Sequence, residues 1–218
     1  MILSDRSIKD HIKNKKIIFE PPIADNDFSP SSVDVHLGNY VYKFKKVHSA
    51  ILQSIDLKNP KVAEVLEQLT DRIEISSNGY DLSPLEFILA YTKEKITLPS
   101  MVAARLEGRS TLARFGITVH STAPTVQPFF SGPLMLEVCN LGETPCNLKQ
   151  GLAIAQLIFE HLDSEPLSTG LDSVWQKQRP TTLKPRKKKN RNYPINLCTA
   201  LFAITLTRRL NPANLLVV

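Results

Sequence analysis

Ile8 and Ile12 stand four residues apart, which predicts a short helix over residues 5–15, with the Ser4 hydroxyl placed to cap it. The period then changes. Val33, Val35 and Leu37 alternate with polar neighbours, so residues 31–37 predict a strand that closes at a Gly38-Asn39 turn, and residues 40–44 predict the next. Over residues 60–71, Val62, Val65, Leu66 and Leu69 share one helical face behind Pro60, predicting a second helix. From Arg72 onward the pattern predicts short strands at residues 73–75, 87–91, 102–104, 117–120, 134–139 and 153–159. Asn78-Gly79, Ser83-Pro84, Leu98-Pro99, Gly132-Pro133 and Gln150-Gly151 separate them. Many short strands with two or three short helices indicate a mainly β sandwich or barrel, not βαβ units.

Charge divides the chain. All 21 acidic residues lie at or before Asp172, against 17 of the 27 basic ones, and the remaining ten basic residues follow it, so the formal net charge of +6 belongs to the tail. A mildly acidic body lacks the electrostatic footprint of a nucleic-acid binder, and none is expected for it. The tail carries the basic run Lys184-Pro185-Arg186-Lys187-Lys188-Lys189-Asn190-Arg191 and then an apolar stretch at 197–206, about half of the roughly 20 residues that span a bilayer. Three readings of it stand: an extension without function, a segment that binds membrane or nucleic acid, and a segment packed on the oligomer. The first is the expected one. Cys139, Cys146 and Cys198 have no Cys-x-x-Cys spacing, and no apolar leader opens the chain, so a soluble protein of the reducing cytoplasm is expected.

Two stretches carry chemistry. Glu107-Gly108-Arg109-Ser110-Thr111-Leu112-Ala113-Arg114 gathers guanidinium groups, hydroxyls and a glycine, a composition suited to gripping phosphates through side chains and through N–H groups at a helix start. Leu134-Met135-Leu136-Glu137-Val138 sets one carboxylate among apolar neighbours, where a Glu can take and return protons, and enclosure of this run is predicted. Neither His-x-Glu nor Pro-Cys-x-x-Cys, the spacings that hold a catalytic zinc beside a proton-shuttling Glu, is present, so no zinc is expected. Read alone, Arg109 and Arg114 also suit surface ion pairs and His120 suits a hydrogen-bonded strand position.

Several ordered motifs closely resemble the dCTP deaminase family, a relative of the trimeric dUTPases: residues 1–5, 30–39, 84–90, 107–116, 119–123, Leu136-Glu137 and 151–157. The resemblance covers about residues 1–181, which it marks as one nucleotide-binding β domain including a C-terminal lid; 182–218 lie outside it as a poorly ordered tail. It implies a distorted β jelly roll of the dUTPase-like type, a homotrimer with sites between subunits, and Mg²⁺ held mainly by the substrate phosphates. The implied reaction converts dCTP to dUTP and ammonia, with dTTP as a candidate inhibitor. Glu137 matches the glutamate that handles the protons. Ser110 and Arg114 match groups that position water and base, Arg109, Ser110 and Thr111 the phosphate-contacting run, and Ala123 the turn beneath the pyrimidine.

The chain also departs from the family pattern. Val126-Gln127 stands where Ile-Asp is usual; Gln127 can hydrogen-bond a deoxyribose hydroxyl but cannot act as a general base, which argues against the dUTPase activity. Pro124 follows Ala123, and Phe129-Phe130 replaces a Gly-aromatic pair. In the lid, Leu167 and Val174 stand where the family carries a Tyr and a Lys, while Trp175 and Gln178 match the aromatic and the Gln that close over the triphosphate. The alternatives are a dUTPase or other nucleoside-triphosphate pyrophosphohydrolase on the same fold, and a nucleotide-binding relative with a weakened site.

Overall fold

The computed structural model describes residues 1–45, 54–59 and 61–168. They divide into two compact units, one of residues 1–43 with 72–168 and the other of the described residues between 44 and 71.

The larger unit begins with helix α1 (Asp5–Lys13), two residues shorter than predicted. Ser4 caps it, accepting from the Ser7 N–H, and Asn14 ends it. The chain turns because Lys15 takes a left-handed φ of 55°, which lets Lys16 N–H reach the His11 carbonyl at 2.8 Å and Lys15 N–H reach Ile12 at 2.9 Å, the paired bonds of a Schellman motif. Ile8, fully buried, fixes the helix to the core.

The strands are β1 (Ile18–Glu20), β2 (Phe28–Ser29), β3 (Ser32–Phe44), β4 (Thr70–Glu74), β5 (Tyr80–Leu82), β6 (Phe87–Thr97), β7 (Val102–Gly108), β8 (Ile117–Thr118), β9 (Thr125–Val126), β10 (Ser131–Asn140), β11 (Cys146–Leu148) and β12 (Ala153–His161). Helix α3 (Ser110–Ala113) leaves β7. The main sheet runs β8-β10-β6-β3-β12-β7-β9, with β1 on β6 and β2 on β3, while β11 and β5 pair apart. These pairings are antiparallel, which permits the short hairpin links the turn residues announce.

The core is one continuous cluster that draws Val33, Val35 and Leu37 from β3, Ile88 and Ala90 from β6, Leu136 and Val138 from β10, and Leu157 and Phe159 from β12. Each of these side chains is removed from water completely, and each large one contributes about 1.5–3 kcal/mol.

One expected turn is absent. Gly38-Asn39 lies within β3, where the pairing with β6 shifts between Leu37 and Val41. A Cβ on Gly38 would stand 2.9 Å from the Tyr91 carbonyl oxygen, so the glycine permits close approach of the neighbouring strand. The helix predicted over residues 60–71 is α2 (Val62–Leu69), in the smaller unit; Thr70 starts β4 and Pro60 lies outside the described residues. No helix among the described residues is long and apolar enough to cross a membrane.

Candidate active site

Strand β7 delivers the chain to Arg109, which caps the four-residue helix α3 in extended conformation. Its guanidinium is tied at two points: Nη2 lies 2.9 Å from Asp34 Oδ2, and Nη1 donates to the Ala153 carbonyl at 3.2 Å. Asp34 stands on β3 between Val33 and Val35, so strand alternation turns it to the face opposite the core. Burial pushes its carboxyl above the usual range, and the Arg109 charge opposes that rise. Arg109, Asp34, Ser110, Thr111, Ser29 and Gln156 line a pocket of about 320 Å³. Gln156 braces its floor, accepting from Ser32 Oγ at 3.2 Å and donating to the Gly108 carbonyl at 3.4 Å. Arg109, Ser110 and Thr111, the run expected to contact phosphate, all line this pocket, with Ser110 and Thr111 exposed at its rim.

Sequence reading missed Asp34, Ser29 and Gln156. The signal for two of them was present, since Asp34 and Gln156 are the polar members of alternating runs. Their convergence depends on β12 lying between β3 and β7, where Gln156 stands in register with Asp34 on one side and Glu107 on the other.

Glu137 stands on β10, where Leu136 and Val138 fill the core and Glu137 itself is half-buried on the other face. The enclosure predicted for this run holds for its neighbours, not for the carboxylate within one chain, because a strand side chain next to a core position faces away from the core. Its Oε2 accepts the Ser121 N–H at 2.9 Å, and its own N–H donates to the Val119 carbonyl at 3.0 Å. Strand and loop are thus fastened twice. Between the two fastenings His120 follows β8; its Nε2 lies 3.9 Å from Glu107 Oε2, and its buried Nδ1 has no hydrogen-bond partner among the described residues, so within them it is not the hydrogen-bonded strand histidine expected.

The loop continues through exposed Ala123 to β9, held by the Leu106 N–H on the Pro124 carbonyl at 2.8 Å. Gln127 is exposed, and its carbonyl receives the Phe130 N–H at 3.3 Å, closing a turn with Pro128 second and Phe129 third at a φ of 63°. That position of a type II turn favours glycine, and here Phe occupies it.

Arg114 ends α3 and is exposed. Among the described residues no hydrogen bond or ion pair joins Glu137 to Arg109, Ser110, Thr111 or Arg114. One chain presents the Arg109 pocket and, separately, a carboxylate beside an open loop. Leu167 is fully exposed; Val174, Trp175, Gln178 and the tail 182–218 lie outside the described residues.

A family model described as dCTP deaminase-like matches residues 2–162. A Beutenbergia cavernae protein named dCTP deaminase, dUMP-forming, is 38% identical over 88% of this chain and 99% of its own length. A Pseudoalteromonas translucida protein named dCTP deaminase is 35% identical over 82% of this chain and 94% of its own. Among solved structures, the 2'-deoxycytidine 5'-triphosphate deaminase from Agrobacterium tumefaciens superposes with a TM-score of 0.58 at 20% identity, over 72% of this chain and 47% of that longer one. The likeness shows the fold, and the mainly β architecture with few helices is the one the sequence led us to expect.

Proposed function

The chain belongs to the dCTP deaminase-like family, and from that membership we propose that it is an enzyme that hydrolyses the amino group from dCTP, giving dUTP and ammonia. One observation carries the reading: the Glu137 carboxylate is held at 2.9 Å by the Ser121 N–H at the mouth of the loop that would seat a pyrimidine.

The fixed amide orients Oε2 and leaves Oε1 to address a water. Glu137 takes a proton from that water as its oxygen attacks C4 of cytosine and passes it to the ring nitrogen, then takes the remaining proton of the new C4 hydroxyl and passes it to the departing amine. A carbonyl replaces the amino group and ammonia leaves. Proton transfer by a positioned side chain supplies about 10²–10⁴-fold in rate. Ser110 and Arg114 polarise water and base, Arg109 and Thr111 grip the phosphates, and Gln127 addresses the sugar.

The two half-sites of one chain support a homotrimer in which the phosphate pocket of one subunit completes the carboxylate and loop of the next. Trp175 and Gln178 serve there as the lid. Mg²⁺ suits this site as a companion of the triphosphate. The pocket's carboxylate, Asp34, is occupied by Arg109, and among the described residues no group of three His, Cys, Asp or Glu side chains forms a metal cage. Bound Mg²⁺ would supply neutralisation of phosphate charge. A cytoplasmic location fits such an enzyme, and dTTP, sharing the triphosphate, is a candidate inhibitor.

A second reading, in which deamination is followed by loss of pyrophosphate to give dUMP, draws support from relatives such as the Beutenbergia cavernae protein named dUMP-forming. The amide of Gln127 favours the first, because it cannot accept a proton from a water attacking phosphorus. Incubation with dCTP and Mg²⁺, resolving all nucleotides, is expected to yield dUTP and ammonia in equal amounts. Accumulation of dUMP and pyrophosphate would establish the second reading instead.

A further inference from the structure

We propose that Asp34 is a positioning residue that holds the Arg109 guanidinium ready for the phosphates of the nucleotide. The proposal rests on the nucleotide reading above and assigns a role to a residue that does not itself touch the reacting atoms.

Arg109 leaves β7, and Asp34 belongs to β3, with β12 between them. Two strand spacings separate them, roughly 10 Å. The guanidinium therefore lies extended across β12, touching the Ala153 carbonyl at 3.2 Å on its way to Asp34 at 2.9 Å. A long, flexible side chain is thus held by two acceptors, one of them charged, and its remaining N–H donors are left to meet an anion in the pocket. An arginine already ordered loses less freedom on binding than one that must be caught from solvent.

Asp34 is itself well anchored. Its side chain is only 13% exposed, against 35% for Arg109, so the acid is the fixed partner and the base the presented one. On the same strand face His36 is fastened by the buried Glu94, through Nδ1 at 2.9 Å and through its backbone N–H at 2.9 Å, and Asp27 lies 3.3 Å from its Nε2. Ser32 is tied to Gln156. The polar residues Ser32, Asp34 and His36 thus form a rigid stripe along β3, with the Arg109 contact at its centre. A carboxylate facing a phosphate pocket would otherwise repel the ligand; paired with Arg109 it directs a cation.

The test is titration of the full chain with inorganic tripolyphosphate and Mg²⁺, with thermal unfolding of each variant run beside it. Loss of a hydrogen bond between charged groups makes Asp34→Ala bind about tenfold more weakly or worse. Asp34→Asn, whose amide oxygen still accepts, should stay within about threefold of native and also keeps the test open should the Ala variant fold poorly. In an Arg109→Ala background Asp34→Ala should cost nothing further, because its effect runs through the guanidinium. With dCTP the KM should rise and kcat should hold. Native or tighter binding by Asp34→Ala would overturn the proposal, as would an equal loss in the Arg109→Ala background or no binding by the native chain. A native chain that binds tripolyphosphate in this Asp34-dependent way without turning over dCTP would overturn the deaminase reading and uphold this one.

Discussion

Asp34, Glu86 and Glu137 are all strand or loop carboxylates set beside the core, and their neighbours give them different work. Asp34 is committed through Oδ2 to a guanidinium and Glu137 through Oε2 to a backbone amide, so the two are held by partners of different charge. Glu86 is structural. Burial would raise its carboxyl, but Lys43, the Tyr80 hydroxyl and the Ser83 N–H together hold it below the usual range. Tyr80 pays the counterpart: burial first, then its 2.7 Å hydrogen bond to Glu86, push its hydroxyl up to about 12 from an ordinary 10.0. A raised pKa means that the folded state keeps the proton longer than the unfolded one. Its contribution to stability is therefore complete below pH 10 and is lost as pH rises through about 12. Tyr80→Phe has no proton to lose, so urea midpoints measured at pH 9 and near pH 12 should fall less in the variant than in the native protein. An equal fall in both would show that Tyr80 takes no part in alkaline unfolding.

At the scale of elements, sequence period and capping located α1, and most strands were found at their cores, if not at their full lengths. Residues 87–91 grew into β6 (Phe87–Thr97) and residues 102–104 into β7 (Val102–Gly108), because beyond those cores a single apolar residue, Ile96 or Leu106, stands among charged and polar neighbours and the alternation is too sparse to read, although both are buried. The Gly38-Asn39 pair misled for a different reason. A glycine that opens a turn and a glycine that admits a neighbouring strand look alike in one dimension, and only the Tyr91 carbonyl tells them apart. Lys15 is the converse case, a position where the backbone wants glycine and the sequence supplies lysine. It is exposed and has a φ of 55°, so Lys15→Gly removes left-handed strain without removing packing. The gain should be about 0.5–1 kcal/mol, visible as a higher melting temperature. No gain, or a loss, would mean that the Schellman geometry at the end of α1 carries little strain.

For the whole molecule, what was legible in the sequence and what was not divide along contact distance. Arg109, Ser110 and Thr111 are consecutive and could be read as one group from the sequence; Asp34 and Gln156, brought to the same pocket by strands β3 and β12, could not. Glu137 was legible as a residue, while its fixing by Ser121 depended on how the loop after β8 returns to β10. The charge separation along the sequence places the positive excess beyond Asp172, so the body that holds the pocket is mildly acidic, and on the proposed reading its grip on a triphosphate rests on a few aimed groups. Within one chain the Arg109 pocket and Glu137 are joined by no hydrogen bond or ion pair among the described residues, in keeping with the proposed completion of the site by a neighbouring subunit. On the proposed reading, proton transfer depends on Glu137. The most direct test of this compares dCTP turnover and dCTP binding in the native protein and in Glu137→Gln. Turnover should fall at least about 10²-fold while binding stays within a few-fold, since the amide keeps the shape of the side chain and loses its basicity. Turnover by Glu137→Gln at the native rate would contradict the account at its centre.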